Sequence, residues 1–308
     1  MTGASDLDVV VVCEINVDIV VSGLDGPPVF GAERVVDEVV LAAGGSGLLT
    51  ATGLADLGLR VGVCGLLGDD PFGRFMLDHL DRHGIDRRGV VVDAAERTGS
   101  SVMLSTSRDR AILTHTGAMA RFTHEQIDFD LIRHARHLHL SSHFLQAGIR
   151  RAVPHLLAQA RAHGLGTSAD TGHDPDERWD VADLLPGLDI FLPNEVEAQA
   201  ITGTATPEAA LARLALQVPL AVVKCGAAGA MAARGSEQVR LPGFAVRAVD
   251  TTGAGDAFDA GFLAAWLGGT DLERAVRWGN ACGALTAAQV GGTGALSMAA
   301  MQAMLARA

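Results

Sequence analysis

Runs of apolar, β-branched residues separated by helical segments extend along most of this chain. The first run covers Val9 to Cys13 and contains no polar residue. A strand with one solvated face alternates apolar and polar residues, whereas an unbroken apolar run is typical of a strand buried on both faces. Such strands belong to parallel sheets that carry helices on both sides. The sequence therefore predicts an α/β fold.

Later segments repeat this alternation. Strands are predicted at Arg60 to Leu66, His137 to Leu140, Gly166 to Asp170, Asp189 to Leu192 and Leu220 to Lys224. Helices are predicted at Ser46 to Leu57, Arg150 to His163, Gly255 to Leu267, Leu272 to Gln289 and Met298 to Arg307. Strands and helices in this order indicate a doubly wound, mainly parallel sheet flanked by helices.

A group of shorter strands predicts a small β-sheet lid. Asp18 to Ser22 and Arg34 to Leu41 flank a Gly-Pro-Pro turn, whereas Ser101 to Thr106 and Ala111 to Thr114 flank the polar turn Ser107 to Arg110. These patterns indicate two hairpins. We expect a single domain over residues 1–308, with lid segments at about 14–41 and 97–116. The lid is also the expected contact surface of a homodimer.

The formal charge of the chain is −12, from 24 basic and 36 acidic residues. A nucleic-acid backbone would be repelled by most of such a surface, so nucleic acid is not an expected partner. A small polyanion such as ATP would need a local positive site made of backbone amides.

No apolar stretch approaches the roughly 18 residues of a membrane span. The four cysteines are far apart, with no signal peptide ahead of them, which favours reduced thiols and a cytoplasmic location.

The strongest local motif is Asp-Thr-Thr-Gly-Ala-Gly-Asp at positions 250–256, directly before an apolar helical segment. Gly253, Ala254 and Gly255 would let backbone amides approach a phosphate at the helix N-terminus, which carries a partial positive charge. Asp256, in the first turn, would accept a proton from an attacking hydroxyl. Taken alone, the motif fits a tight turn followed by a favourable helix-start residue about equally well.

A second motif decides between these interpretations. Positions 43–47 read Ala-Gly-Gly-Ser-Gly, and positions 65–73 read Gly-Leu-Leu-Gly-Asp-Asp-Pro-Phe-Gly. Together with positions 250–256, they resemble the two signatures of the ribokinase-like (PfkB) carbohydrate kinase family, in order and over nearly the whole chain. The resemblance implies a mainly parallel sheet, a β-lid over a sugar acceptor, ATP in a shallow groove, and Mg²⁺ on the phosphates. A monovalent cation such as K⁺ is a further candidate cofactor.

Asn194 and Glu197 resemble the NxxE motif of this family, which organises Mg²⁺ and its waters near the phosphates. Mg²⁺ prefers oxygen ligands and keeps several waters, so an amide and a carboxylate are suitable partners. Read without the family, Asn194 is a helix N-cap and Glu197 stands three residues later, which is a capping box. Both roles are compatible.

The expected nucleotide site draws on scarce residue types. Lys224 is the only lysine, and Asn16, Asn194 and Asn280 are the only asparagines. Lys224, with Gly226 and Gly229 in the following loop, resembles the family's nucleotide loop, and Asn280 falls where the family lines the adenine pocket. The alternatives are a lysine that extends to solvent from a strand end and an asparagine on a helix surface.

Asn16 and Asp18 resemble the N-terminal motif with which the family binds sugar hydroxyls. They stand two positions apart, so both side chains point to one face of a strand. Gly44 and Gly45 would let the sugar lie against the backbone. The alternative is that Asp18 only caps the lid hairpin.

Three positions depart from the family pattern. Leu49 stands where the family usually has an asparagine that bonds the sugar, and Cys13 stands where a glycine is usual. Ser141 or Ser142 stands at the strand end where ribokinases carry a glutamate. These departures predict that the acceptor is not held as ribose is held.

The preferred hypothesis is therefore an ATP-dependent carbohydrate kinase. A nucleoside kinase would need an apolar clamp for a base, for which Phe30, Phe144 and Leu49 are the available residues. A catalytically silent ligand-binding protein on the same scaffold is the third hypothesis, against which Asp256 and its glycine turn argue. A P-loop NTPase is excluded because Lys224 is followed by Cys225, not by Ser or Thr. A dinucleotide-binding fingerprint is also missing after the first strand.

Overall fold

The structure is a computed structural model that describes residues 6–106, 110–289 and 296–307. Within these ranges the strands are β1 (Leu7–Val12), β2 (Asn16–Leu24), β3 (Glu38–Gly44), β4 (Val61–Gly68), β5 (Asp86–Asp93), β6 (Gly99–Thr106), β7 (Arg110–His115), β8 (Ala135–Ser141), β9 (Gly166–Asp170), β10 (Ile190–Phe191), β11 (Leu220–Lys224), β12 (Ala230–Arg234) and β13 (Glu237–Leu241). The α-helices are α1 (Ser46–Asp56), α2 (Pro71–Arg82), α3 (Phe129–Ile132), α4 (Ala147–Arg150), α5 (Val153–Ala162), α6 (Glu195–Thr202), α7 (Pro207–Leu214), α8 (Ala254–Leu267), α9 (Leu272–Ala287) and α10 (Met298–Leu305).

The larger sheet has the strand order β13-β12-β11-β10-β9-β8-β1-β4-β5. All neighbours from β11 to β5 are parallel, and β12 and β13 add antiparallel strands at one edge. In β1, Val9 and Val11 belong to the apolar core on one face, whereas Val10 and Val12 belong to the core on the other. All four side chains are fully buried. The unbroken valine run is therefore explained by helices on both faces, as predicted.

The smaller sheet has the order β3-β2-β6-β7. β2 pairs antiparallel with β3 and parallel with β6, and β6 pairs antiparallel with β7. The predicted strand Arg34 to Leu41 begins only at Glu38 and continues to Gly44, so its bounds were wrong at both ends. Positions 107–109 of the predicted turn lie outside the described residues.

The predicted fold class is confirmed. The main omissions are β5, β12 and β13, which the sequence pattern did not reveal. β5 and β13 form the two edges of the larger sheet, and exposed charged residues such as Arg87 and Arg240 interrupt their apolar pattern. No helix in the described part of the chain is both long and apolar enough to cross a membrane.

Parallel strands place the site at one edge of the larger sheet. Their carboxyl ends all meet at the same edge, where α/β proteins bind their ligands. Asp170 ends β9, Lys224 ends β11, and Glu14 follows β1 by two residues. The N-termini of α1, α6 and α8 complete this edge through the contacts described below.

Candidate active site

The first turn of α8 carries the predicted catalytic motif. Gly253 is the N-cap with φ 73°, a left-handed conformation that favours glycine. Gly253 has no side chain that could cap this end of the helix, so the N-cap residue does not satisfy the first amides of α8. An uncapped helix N-terminus is a suitable binding site for a phosphate. Asp256 is the third residue of this turn, beside those amides.

Asp256 has the properties of a general base that titrates near neutral pH. Burial of its carboxylate raises its pKa to about 7, against the lowering effect of the Ser46 hydroxyl, which donates a hydrogen bond to Asp256 Oδ1. Asp170 and Glu14 raise the pKa further, and Lys224 lowers it. A base with a pKa close to the working pH is most effective in general-base catalysis.

A buried ionic cluster lies one turn further along α8. Lys224 Nζ is 2.7 Å from Asp170 Oδ2 and 2.9 Å from Asp259 Oδ2. Lys224 is 7% exposed, and Asp259 is fully buried. The cluster therefore joins the carboxyl ends of β9 and β11 to the helix that carries Asp256.

The cluster contains two carboxylates and one ammonium group. Burial raises the pKa of Asp259 well above its usual range. Burial acts on Asp170 in the same sense, but the Lys224 charge and several hydrogen bonds outweigh it and lower the pKa of Asp170. Burial would lower the pKa of Lys224, yet its two partners raise it. Lys224 therefore stays charged, and Asp170 carries most of the compensating negative charge.

This arrangement excludes one of the two interpretations of Lys224 offered by the sequence and leaves the other untested. The side chain does not extend to solvent, so the strand-end alternative is wrong. Its ammonium group is already paired with two carboxylates, and contact with phosphate stays a prediction. The ammonium group of Lys224 lies close to the glycine turn, because a Cβ added to Gly255 would be 3.7 Å from Lys224 Nζ.

The NxxE pair forms the capping box that the residue spacing predicted. Glu197 N donates to Asn194 Oδ1 at 3.0 Å, and Asn194 N donates to Glu197 Oε2 at 2.9 Å. Backbone pairing between Asn194 and Lys224 brings this helix start beside the end of β11. Capping accounts for one oxygen of each side chain. A metal role is compatible with it and stays a prediction.

The surroundings of Glu197 fit a divalent cation. Burial raises the pKa of Glu197 to about 7, and Asp170 and Asp256 raise it further. A cation placed among these carboxylates would relieve their mutual repulsion. Among the described residues, no three acidic, histidine or cysteine side chains form a ready metal site. Mg²⁺ is commonly held by one or two carboxylates together with substrate phosphates and waters, so a metal role for Glu197 stays a prediction.

The loop after β11 packs against the end of β13. Gly229 has φ 91°, and a Cβ there would lie 2.0 Å from the Leu241 carbonyl oxygen, so no other residue fits. Gly226 has φ 53° and open space at its Cβ position. Asn280 is buried and donates to the carbonyl oxygens of Leu241 and Pro242 at 3.3 and 3.2 Å. The helix-surface alternative for Asn280 is therefore wrong, and its adenine contact stays a prediction.

The predicted acceptor residues meet at the junction of the two sheets. Asn16 Nδ2 donates to Asp18 Oδ1 at 2.9 Å, and both side chains are buried. A Cβ on Gly44 would lie 2.3 Å from Asp18 Oδ1, and Gly45 has φ 96°. These glycines therefore make room for the side chains of this chain itself. Burial raises the pKa of Asp18 to about 6, against the effect of the Asn16 hydrogen bond.

Four site residues were not predicted from sequence. They are Glu14, Ser46, Asp170 and Asp259, which connect the predicted residues to one another. Asp259 had a recognisable signal, since it is a charged residue within an otherwise apolar helical stretch. Asp170 was also visible as the acidic last residue of a predicted strand.

The departures from the family pattern lie around the same junction. Leu49 is buried in the first turns of α1. A Cβ on Gly47 would lie 2.2 Å from the Cys13 Cβ, so Cys13 packs tightly where the family has a glycine. Ser142 Oγ donates to Glu14 Oε1 at 2.6 Å.

The residues proposed as a clamp for a nucleoside base differ in their surroundings. Phe30 is fully exposed on the lid. Phe144 is buried, with its ring edge-on to that of Trp179 and 5.3 Å from His143. A nucleoside acceptor stays an alternative prediction.

Comparison with known proteins identifies the family. Residues 6–298 match the pfkB family carbohydrate kinase. The chain is 34% identical to an ATP-dependent ribose-1-phosphate kinase of Halopiger xanaduensis, with 86% of both chains covered, and 29% identical to a ribokinase of Haemophilus influenzae, with 82% of this chain and 83% of the relative covered.

Solved structures agree with this comparison. An Arabidopsis thaliana ribokinase complexed with ribose and ATP has a TM-score of 0.83 at 26% identity, covering 97% of this chain and 98% of its own. An adenosine kinase of Sinorhizobium meliloti has a TM-score of 0.84 at 26% identity, covering 96% and 99%. An ATP and Mg²⁺ complex of a ribokinase II homologue from E. coli has a TM-score of 0.87 at 26% identity, covering 98% and 100%.

The family match and the relatives define a phosphotransferase that acts on a sugar. The chain belongs to the pfkB family of carbohydrate kinases. The family resemblance predicted from the two signatures is thereby confirmed.

Proposed function

We propose that this protein transfers the γ-phosphoryl group of ATP, bound with Mg²⁺, to a hydroxyl group of a sugar or sugar derivative. The observation that carries the proposal is Asp256, whose carboxylate has a pKa of about 7 and lies at the uncapped N-terminus of α8. A phosphate-binding site and a proton acceptor are thus adjacent on one turn of helix. The names of the relatives, ribose-1-phosphate kinase and ribokinase, support a sugar-like acceptor.

The chemistry follows from this adjacency. The acceptor oxygen forms a bond to the γ-phosphorus, the bond from that phosphorus to the ADP oxygen breaks, and the hydroxyl proton passes to Asp256. The amides of Gly253 to Gly255 stabilise the charge on the transferring group. Asn194 and Glu197 would hold Mg²⁺, directly or through its waters. When bound, the ion neutralises charge on the phosphate oxygens.

Lys224 has a supporting role in this scheme. It keeps Asp170 and Asp259 together and so fixes the start of α8 against the sheet. Gly226, Gly229 and Asn280 would form the remaining nucleotide contacts, since the loop and the helix meet at Leu241. Asn16, Asp18, Gly44 and Gly45 would hold the acceptor, under a lid at about residues 14–41 and 97–116 of one cytoplasmic domain.

A thermal-shift screen tests the ligand class. Ribose, ribose 1-phosphate, fructose, 2-dehydro-3-deoxygluconate and adenosine would be added separately, with a non-hydrolysable ATP analogue and Mg²⁺, because only ligands of the folded state raise Tm. We expect at least one sugar to raise Tm further when the analogue is present. A shift with adenosine alone would favour the nucleoside kinase. The same screen in potassium buffer and in sodium buffer tests whether a monovalent cation binds.

Replacement of Asp18 by alanine tests the acceptor site. We expect Asp18→Ala to raise the acceptor KM by about tenfold or more, because a hydrogen bond to a charged group is lost, while ATP affinity stays nearly unchanged. Asp25→Ala is the matched control, since Asp25 lies on the lid with its side chain 78% exposed. An equal loss of affinity for both substrates would contradict the assignment.

Leu49 is predicted to limit which sugars are accepted. Leu49→Asn restores an amide where this chain has a buried apolar side chain, so we expect the ratio of kcat/KM values among sugars to change. The measurement is the acceptor profile of both proteins at fixed ATP. An unchanged profile would place Leu49 outside the acceptor site.

Exposed apolar residues on the small sheet support a homodimer. Val39, Leu41 and Leu113 are 60%, 43% and 63% exposed and share one face of the small sheet by the register of its strands. Apolar patches of this kind commonly mark protein interfaces. Sedimentation of the native protein should give twice the monomer mass, and Leu113→Lys should lower it. A native monomer would refute the lid contact.

A further inference from the structure

Glu14 takes the place of a missing helix cap. The N-cap residue of α1 is Gly45, and no residue of the helix's own terminus caps it through a side chain. Glu14, from the connection between β1 and β2, instead accepts the Ser46 backbone amide at 2.6 Å on Oε1. The same oxygen accepts the Ser142 hydroxyl. The carboxylate therefore fixes the start of α1, which is remote in sequence.

This cap places the Ser46 side chain against the catalytic base. Ser46 Oγ donates to Asp256 Oδ1. No hydrogen-bond partner of Asp256 Oδ2 is found within the part of the chain that the structure describes. The two carboxylate oxygens are thus unequal: one is held by α1, and the other is available to an acceptor hydroxyl.

We propose that Ser46 is a positioning residue for Asp256: its hydroxyl holds Oδ1 and stabilises the ionised carboxylate, which leaves Oδ2 to receive the acceptor proton. This rests on the proposed function, because it assumes that Asp256 is the base. Ser46 must donate when the base is ionised, since an ionised carboxylate can only accept hydrogen bonds. The contact therefore stabilises the reactive form, and its loss favours the protonated form.

Several charged groups around Asp256 also influence its titration and must be considered when the effect of Ser46 is measured. Glu14, Asp170 and Glu197 face it from the β1–β2 connection, β9 and α6, and Lys224 faces it from β11. From α9, the residue against the first turn of α8 is Gly283, which has no side chain. Glu14 is the main competing group, because burial raises its pKa to about 7 as well.

The test is the pH dependence of kcat/KM for the sugar found in the screen. In the wild type, the rate should rise with pH through a midpoint near pH 7, since burial raises the pKa of Asp256 to about 7, and should then reach a plateau. In Ser46→Ala, we expect the midpoint to move upward by about one unit, from the loss of one hydrogen bond to a charged group. The plateau above the new midpoint should stay within about threefold of the wild type.

Three variants separate this effect from a structural one. Ser46→Thr keeps the hydroxyl and should restore the midpoint. Thr50→Val removes a hydroxyl one turn later, which donates to the Asp256 backbone carbonyl at 3.4 Å and not to its carboxylate, and should leave the midpoint unmoved. Glu14→Gln should keep the fall in kcat/KM at low pH. Its midpoint should lie at slightly lower pH, because a neighbouring negative charge is removed.

The outcomes are distinguishable from failure of the proposed function. A wild type that phosphorylates no sugar, or has no acidic limb, would contradict Asp256 as the base. Suppose the wild type shows a clear fall in kcat/KM at low pH. If Ser46→Ala has the same midpoint, or if its rate is lowered equally at every pH, the role of Ser46 alone would be overturned. Loss of the limb in Glu14→Gln would assign the titration to Glu14 and would also overturn the proposal.

Discussion

Asp256→Asn should lower kcat by at least about 100-fold, the lower range for loss of a general base. Asparagine has nearly the same size and can still stand in the first turn of a helix. Folding stability should therefore change by less than about 1 kcal/mol, and ATP should still bind. The measurement combines steady-state kinetics, ATP binding by calorimetry and thermal unfolding.

A matched control comes from another helix start. Asp271 caps α9 by accepting the Arg274 amide at 2.7 Å, away from the site, and asparagine caps equally well. Asp271→Asn should thus keep both activity and stability. Near-normal kcat in Asp256→Asn, or activity lost only through unfolding, would show that Asp256 is merely a helix-start residue.

Lys224→Met should destabilise the fold more than any surface substitution. It removes the only ammonium group that faces Asp170 and Asp259, and breaking a buried ion pair from one side costs about 3–5 kcal/mol. Methionine fills most of the space, so the loss reflects uncompensated charge. Denaturant unfolding measures the change, and kcat should fall as well because the start of α8 loses its anchor.

Two comparisons test the cause. Arg240→Met breaks the exposed pair between Arg240 and Glu208 and should cost less than about 1 kcal/mol. Lys224→Met combined with Asp170→Asn also removes the carboxylate that carries most of the compensating negative charge, so part of the lost stability should return. A loss in Lys224→Met no larger than in Arg240→Met would mean that the cluster does not stabilise α8.

Local patterns predicted much of the fold because they report burial. The valine run of β1 depends only on which side chains face the core. β5 escaped prediction because it lies at a sheet edge, and charged residues are tolerated there. The start of β3 was misplaced because Val35 and Val36 extend the apolar, β-branched pattern, whereas the strand begins at Glu38.

The site was predicted where its residues are close in sequence. Asp256 and its glycines form one motif, and Asn194 and Glu197 form another. Ser46 and Asp256 are 210 positions apart, and Lys224 and Asp170 are 54 apart. Such contacts arise from the topology of the sheet, and no local pattern reveals them. The scarcity of lysine drew attention to Lys224, but it did not indicate that carboxylates would surround its ammonium group.

The most direct test of the account follows the phosphoryl group itself. ATP labelled with ³²P at the γ-position would be incubated with Mg²⁺, each sugar of the panel, and either the wild type or Asp256→Asn, and the products separated by chromatography. The account predicts label in a sugar phosphate with the wild type and at least about 100-fold slower labelling with the variant. Label that stays in ATP or inorganic phosphate with every sugar, or that reaches the sugar equally fast with both proteins, would contradict it.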